Sequence, residues 1–240
     1  MHGDCLELMK DIPDGSVDMI LCDLPYGTTA KNKWDVVIPF VPLWEQYERV
    51  IKDNGAIALF AQMPFAAMLT CSNIKMFRYE LVWQKTLAQG FLNANRMPLR
   101  AHENILIFYK KLPVYNPQKT QGAPYNKVVR RANNTTNYGN FGETIGANKT
   151  GERFPTDVVL FSNANHQNQM HPTQKPVALL EYLVKTYTNE GETVLDNCMG
   201  SGSTGVACVN TGRKFIGIEL DKKYYDVACC RIADAQARRE

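Results

Sequence analysis

The chain has 240 residues, 45% hydrophobic and 21% charged, with a formal net charge of +3, a balance that suits a globular protein burying one core with a lobe inserted in it. Apolar runs such as Ile57 to Phe60 and Ile105 to Tyr109 fall far short of the ~20 residues of a membrane span, and no secretory signal pattern opens the chain. Seven cysteines, at positions 5, 22, 71, 198, 208, 229 and 230, form no CxxC pair, which argues against a zinc site or a disulfide framework and for reduced thiols in a cytoplasm.

Val17 to Cys22 is short, apolar and β-branched, and reads as a buried parallel strand ending at Asp23, where Pro25 and Gly27 stop regular structure. Leu43 to Ile51 carries Leu43, Trp44, Tyr47 and Val50 at helical spacing. Asp53-Asn54-Gly55 predicts a turn, Ala56 to Ala61 a second buried strand, and Pro64 to Leu69 a helix opened by its proline. Tyr79 to Gln84 and Glu103 to Tyr109 predict two more strands, joined by a long loop from Lys85 to His102.

From Pro113 to Gln169 the chain turns rich in Asn, Gln, Thr, Gly and Tyr, and only Phe154 to Phe161 resembles a strand. A stretch this long inside a domain predicts a functional inserted lobe, with an unstructured segment over Asn133 to Gly151 as the plainer reading. Beyond Pro176 the pattern is regular again: a helix over Val177 to Tyr187, a strand over Thr193 to Leu195, a helix over Thr204 to Asn210, a strand over Phe215 to Ile218, and a helix over Tyr224 to Ala237. Strand–helix alternation at both ends of the chain predicts an α/β fold with a doubly wound, mostly parallel sheet.

The small net charge hides an asymmetry. Between Leu81 and Gly142 stand nine basic residues, among them Arg96, Arg100, Lys119, Lys127, Arg130 and Arg131, against Glu103 alone. That span carries +8 and leaves −5 for the remainder of the chain. With Tyr109, Tyr115, Tyr125 and Tyr138 interleaved, it reads either as a nucleic-acid-binding face or as a solvated basic surface.

Two motifs carry chemistry. Gly200, Gly202 and Gly205 satisfy G-x-G-x-x-G between a strand ending at Asp196 and a helix, and Glu219 follows the next strand. Such a turn lets a ligand approach the backbone, and the acid can accept hydrogen bonds from two ribose hydroxyls. It suits a nicotinamide dinucleotide or S-adenosylmethionine; Asp196 favours the second, because a carboxylate there repels a pyrophosphate and attracts an α-ammonium. The other motif is Asp23-Leu24-Pro25-Tyr26, delivered by the first strand. The Asp23 carboxylate and the Leu24 carbonyl could accept both N–H bonds of an amino group on a base extracted from its stack, while Tyr26 stacks on the ring.

Together, in this order, the motifs resemble the β-class of amino-directed DNA methyltransferases, with the catalytic tetrapeptide first, a target-recognition region in the middle and the cofactor turn last. The resemblance covers nearly the whole chain. Gly3-Asp4-Cys5-Leu6 is similar to the segment whose Asp contacts the cofactor adenine, and His171 to Pro176, with Lys175, to the element preceding the cofactor strand. Leu24 stands where Pro is commoner in the family, and Cys198 where an aromatic residue often packs on the cofactor.

What the resemblance implies is a Rossmann-like, circularly permuted class I methyltransferase. Its catalytic half spans 1–112, its target-recognition insertion 113–169 and its cofactor half 170–240. It implies S-adenosylmethionine as methyl donor, double-stranded DNA as partner, and the N6 of adenine as acceptor, with N4 of cytosine as the alternative. Asp23, Leu24, Pro25 and Tyr26 would be catalytic, and Asp4, Cys5, Lys175, Asp196, Gly200, Ser201, Gly202, Thr204 and Glu219 would line the cofactor. Arg96, Arg100, Lys119, Lys127, Arg130 and Arg131 would meet DNA, and no metal is expected. A bacterial or phage cytoplasmic enzyme, with a homodimer or a cognate restriction endonuclease as further partners, fits the same picture. A dinucleotide-dependent oxidoreductase and a non-catalytic DNA-binding module are the rival classes.

Overall fold

A computed structural model describes residues 1–27, 36–130, 133–135, 139–141, 144–163 and 174–239, with backbone alone at 127–130, 133–135, 139–141 and 144–145. One sheet is built from β1 (Val17–Asp23), β2 (Ile51–Ala61), β3 (Phe77–Gln89), β4 (Arg100–Phe108), β5 (Val158–Phe161), β6 (Thr193–Asp196) and β7 (Lys214–Gly217). Their spatial order is β5-β3-β4-β2-β1-β6-β7. β4 pairs antiparallel with both β2 and β3 while the remaining neighbours pair parallel, so β4 runs against the other six.

The helices are α1 (Cys5–Leu8), α2 (Phe40–Val50), α3 (Phe65–Ser72), α4 (Val177–Tyr187), α5 (Ser203–Thr211) and α6 (Lys222–Ala237). Because side chains alternate across a strand, the central strands feed two cores at once. Ile20, Cys22, Ile57, Leu59, Leu106 and Phe108 meet Leu43, Trp44, Tyr47 and Val50 of α2 and Phe65 and Leu69 of α3. Met19, Leu21, Ala58, Phe60, Ile105 and Ile107 meet Leu179, Leu180, Leu183 and Val184 of α4 and Ala207 and Cys208 of α5. Each large apolar side chain removed from water here contributes roughly 1.5–3 kcal/mol.

From β1 the chain leads to β2 on one side, and from β6 to β7 on the other, while β1 and β6 pair directly through Met19–Val194 and Ile20–Leu195. The connections therefore diverge between β1 and β6, the place where open α/β sheets form a crevice at their carboxyl ends. Asp23 ends β1 and Asp196 ends β6, so both acids border that crevice.

Several boundaries differ from the sequence reading. Asp53-Asn54-Gly55 is not a turn between elements but part of β2, where the register jumps from Val17–Ile51 to Met19–Ala56 and the extra residues bulge from the ladder. Both ends of the expected loop from Lys85 to His102 are strand: β3 runs to Gln89 and β4 starts at Arg100. Antiparallel backbone pairing carries this hairpin past the apolar pattern that marks the buried part. β5 begins only at Val158, because Pro155 has no N–H to give a ladder.

Pro117–Thr156 forms a separate compact unit. Its polar chain is largely paired, not irregular: Thr120–Gln121 with Glu152–Arg153, Tyr125–Arg130 with Thr144–Asn148, and Asn133–Thr135 with Gly139–Phe141 form successive antiparallel ladders. No apolar alternation announces them, since main-chain bonds need none.

Candidate active site

Both oxygens of the Asp23 carboxylate are engaged. Tyr26 donates its hydroxyl to Oδ1 at 2.7 Å, and Lys175 donates its ammonium to Oδ2 at 2.5 Å. Leu24 sends its side chain into the core under α2 and α3, and Pro25 restricts the backbone between them. Tyr26 packs on Phe65, ring centroids 5.0 Å apart, and burial, then the neighbouring Asp23 charge, pushes its phenol well above the usual tyrosine range. Tyr26 is therefore a hydrogen-bond donor across the neutral range.

Behind Asp23 lies a group that the sequence reading did not connect with it. Lys175 also pairs with Oε2 of Glu103 at 3.3 Å, and its ammonium stands 5.0 Å over the Phe60 ring. Oε1 of Glu103 accepts from Lys85 and, at 2.8 Å, from Gln62, whose Oε1 accepts from Arg100 at 3.0 Å. Glu103 and Lys85 are 6% and 5% exposed, so this is a buried cluster of two cations and two carboxylates. Burial raises the cost of charging Glu103, yet Lys175 and Lys85 hold its carboxyl below the ordinary range. Burial likewise works against Lys175, yet Asp23 and Glu103 hold its ammonium above the ordinary range. Lys85 goes the other way: burial outweighs its single carboxylate, which it shares with Lys175, and Lys175 and Arg100 repel it.

Lys175 was assigned to the cofactor by resemblance; here it lies on Asp23. Its neighbours His171, Pro172 and Thr173 lie outside the described residues. Glu103 carried a signal in the sequence, as the lone acid of a basic span, but nothing local named its partners.

The glycine-rich turn divides its labour. Gly200 has φ 52° and nothing within 4 Å of the position a Cβ would take, so its backbone is open to a ligand. Gly202, at φ 78°, would put a Cβ 2.8 Å from that of Ala228, and Gly205 would drive one into Ile232 of α6, so both serve packing. Arg231 of α6 donates to the Ser201 carbonyl at 2.5 Å and to the hydroxyls of Ser201 at 2.9 Å and Ser203 at 3.2 Å, fixing the turn. Asp196 accepts from the Thr204 hydroxyl at 2.6 Å and the Cys198 N–H at 3.1 Å, and burial pushes its carboxyl up to about 6. Glu219 accepts the N–H of Gly200 at 2.9 Å and of Asp221 at 2.9 Å, one on each oxygen, which leaves further lone pairs for hydroxyls.

Asp4 caps α1 through the N–H groups of Leu6 at 2.8 Å and Glu7 at 3.3 Å. Cys5 and Cys198 pack against the core beside Cys22, whose thiol burial pushes up to about 12. The open Gly200 backbone and the spare lone pairs of Glu219 fit an adenosyl ligand. Arg96 is exposed, and Lys119 pairs with Glu152 at 3.1 Å and lies 5.2 Å over Phe154 within the smaller unit. The side chains of Lys127 and Arg130, and all of Arg131, lie outside the described residues. Among the described residues no cluster could hold a metal ion, and no helix is long and apolar enough to cross a membrane.

A sheet with its crevice between an Asp-led tetrapeptide and a glycine turn defines a class I methyltransferase. The family model for N6/N4 DNA methylases matches residues 17–229, and the chain belongs to that family. The type II methyltransferase M.HpaI of Haemophilus parainfluenzae is 30% identical over 94% of this chain and 71% of its own length. The DNA adenine methyltransferase YhdJ of Escherichia coli K12 is 28% identical over 97% and 81%. The crystal structure of the M1.HpyAVI–SAM complex superposes with a TM-score of 0.65 at 25% identity, covering 96% of this chain and 98% of that one. The chain is thus a DNA methyltransferase that takes its methyl group from S-adenosylmethionine.

Proposed function

We propose that the chain methylates the N6 amino group of adenine in double-stranded DNA, after the base has been extruded into the crevice between β1 and β6. The observation that carries this reading is the Asp23 carboxylate at the crevice, held from behind by Lys175 and capped in front by Tyr26. The incoming amino group displaces the Tyr26 hydroxyl from Oδ1 and donates one N–H there and the other to the Leu24 carbonyl. Tyr26, released, stacks on the base, offsetting roughly 1–3 kcal/mol of lost stacking.

With both N–H bonds held, the nitrogen lone pair turns out of conjugation and aims at the sulfonium methyl. The N–C bond forms as the S–C bond breaks, its electron pair leaving with sulfur, and the methylated nitrogen then releases a proton to water. Most of the acceleration comes from positioning. Asp23 serves as a hydrogen-bond acceptor, as both of its oxygens already do, toward Tyr26 and Lys175. The name of YhdJ supports adenine. The test is to methylate DNA in vitro and analyse its nucleosides by mass spectrometry: N6-methyladenine is expected, and N4-methylcytosine alone would overturn the base assignment.

For the cofactor, Glu219 takes the ribose hydroxyls, the Gly200 backbone lies against the adenosyl group, Asp196 attracts the α-ammonium, and Asp4 and Cys5 border the adenine. Asp196 supplies a signature. Its carboxyl is pushed up to about 6, so below that pH a cationic ligand must first expel a proton. Affinity for S-adenosylmethionine should fall by about tenfold per pH unit below that point. Calorimetry should show this slope for the native protein and a flat profile for Asp196→Asn; equal slopes would remove the ammonium from Asp196. The unit Pro117–Thr156, with Lys119, Lys127 and Arg130, is the proposed sequence reader, and Arg96 and Arg100 the holders of phosphates near the extruded nucleotide.

A further inference from the structure

Five of the exposed large apolar side chains fall within one short stretch, the tip of the β3–β4 hairpin: Leu87 (54% exposed), Phe91 (76%), Leu92 (85%), Met97 (56%) and Leu99 (44%). A soluble surface scatters such side chains singly; a cluster of them marks a contact. The tip is also folded. Gly90 takes φ 90° to open a short 3₁₀ turn, Phe91–Asn93. Asn93 donates to the Gly90 carbonyl at 2.9 Å and accepts from Arg96 at 2.8 Å and Met97 at 3.0 Å. Asn163 bonds both the N–H and the C=O of Leu87, each at 2.9 Å, and fixes the hairpin where it leaves the sheet. Phe91 and Leu92 are therefore presented on a firm knuckle.

Its charge and place select the partner. No acidic residue stands between Leu81 and His102, while Arg96 and Arg100 flank the knuckle. β3 and β1 run the same way, so the hairpin leaves the sheet at the edge where Asp23 stands. Register puts Asp23, Phe60, Ile105 and Leu81 in one row across the sheet. From Ile105 to Arg100 the strand continues roughly 16 Å past that row, at about 3.3 Å per residue. The root of the hairpin is tied to the catalytic acid through Arg100, Gln62, Glu103, Lys175 and Asp23, each touching the next.

We propose that Phe91 and Leu92 form a wedge that enters the base stack of duplex DNA and occupies the space vacated by the target base, with Arg96 holding an adjacent phosphate. The proposal rests on the base-extrusion reading above. Apolar side chains inserted between base steps unstack them, and a filled gap keeps the extruded base from falling back. Both side chains are solvent-exposed, so removing them leaves the fold intact.

The test uses duplexes carrying the recognised sequence, found by locating methylated bases in host DNA, in two sets: 2-aminopurine at the target for fluorescence, and adenine there for the rate of methyl transfer. The native protein should raise the 2-aminopurine fluorescence on binding, and Phe91→Ala/Leu92→Ala should lose most of that rise and about tenfold or more in single-turnover rate. On a duplex with a mismatch opposite the target, where unpairing is cheap, the variant should recover to within about threefold of the native rate. Equal rates on the matched duplex, or an equal deficit on both duplexes, would overturn the wedge. Loss of a dimer in sedimentation, with fluorescence and rate unchanged, would reassign the tip to a second copy of the chain. If the native protein itself gives no rise, base extrusion falls, and the wedge with it.

Discussion

Replacing Asp23 by Asn should lower the single-turnover rate of methyl transfer roughly a thousandfold, about 4 kcal/mol, the scale of losing one preorganised electrostatic partner in a closed site. Asn offers a carbonyl in place of one oxygen, but its amide must then face either the Lys175 ammonium or the incoming amino group, and both are donors. Hydrogen bonds to an ionised acceptor are about twice as strong as neutral ones, so the pull that turns the nitrogen lone pair out of the ring weakens as well. Rapid-quench transfer of a labelled methyl group measures the rate, while equilibrium affinities for DNA and cofactor should stay within about threefold. A variant that binds both and reacts at the native rate would remove Asp23 from the chemistry.

Lys175→Met should be the most destabilising single change in the site, by about 3–5 kcal/mol, because among the described residues it leaves the buried Glu103 with Lys85 as its one paired cation and the partly buried Asp23 with none. At about 2–4 °C per kcal/mol for a chain of this size, the Tm falls by roughly 10 °C. Lys175→Met combined with Glu103→Gln removes one charge of each sign and should recover most of that loss. If the pair melts no higher than the single variant, charge balance is not what holds this cluster. The pH window follows from the shifts. Glu103, held low, contributes stability that is present above the ordinary glutamate range and lost as pH falls through its depressed value. Lys175, held high, contributes stability that is present below the ordinary lysine range and lost as pH rises through its elevated value.

What was legible in the sequence was whatever the backbone decides locally. β1 could be read to its end because the apolar run Met19 to Cys22 leads directly into Asp23, and the turn at Gly200 because strand, glycines and helix follow one another without a gap. The family order then joined the two motifs. Lys175 was visible, but its bond to Asp23 was not, since its neighbours in sequence point to the cofactor strand while its side chain reaches across to β1. The Glu103–Lys85 pair was invisible: both residues sit in strands, eighteen positions apart, and meet only because of the β3–β4 register. The apolar knuckle failed for a related reason. A loop rich in Asn, Ala and Leu has no periodicity, and whether Phe91 is buried depends on what packs over it.

The occupied state of Asp23 has a consequence for the resting enzyme. A free carboxylate beside a sulfonium is itself a methyl acceptor, and an enzyme waiting on the genome with its donor bound would slowly esterify its own active site. With Tyr26 on one oxygen and Lys175 on the other, the carboxylate's charge is drawn toward two donors, which makes it a weaker nucleophile until an amino group displaces Tyr26. The hydrogen bonds that hold Asp23 in place would thus also damp its reactivity toward a bound methyl donor.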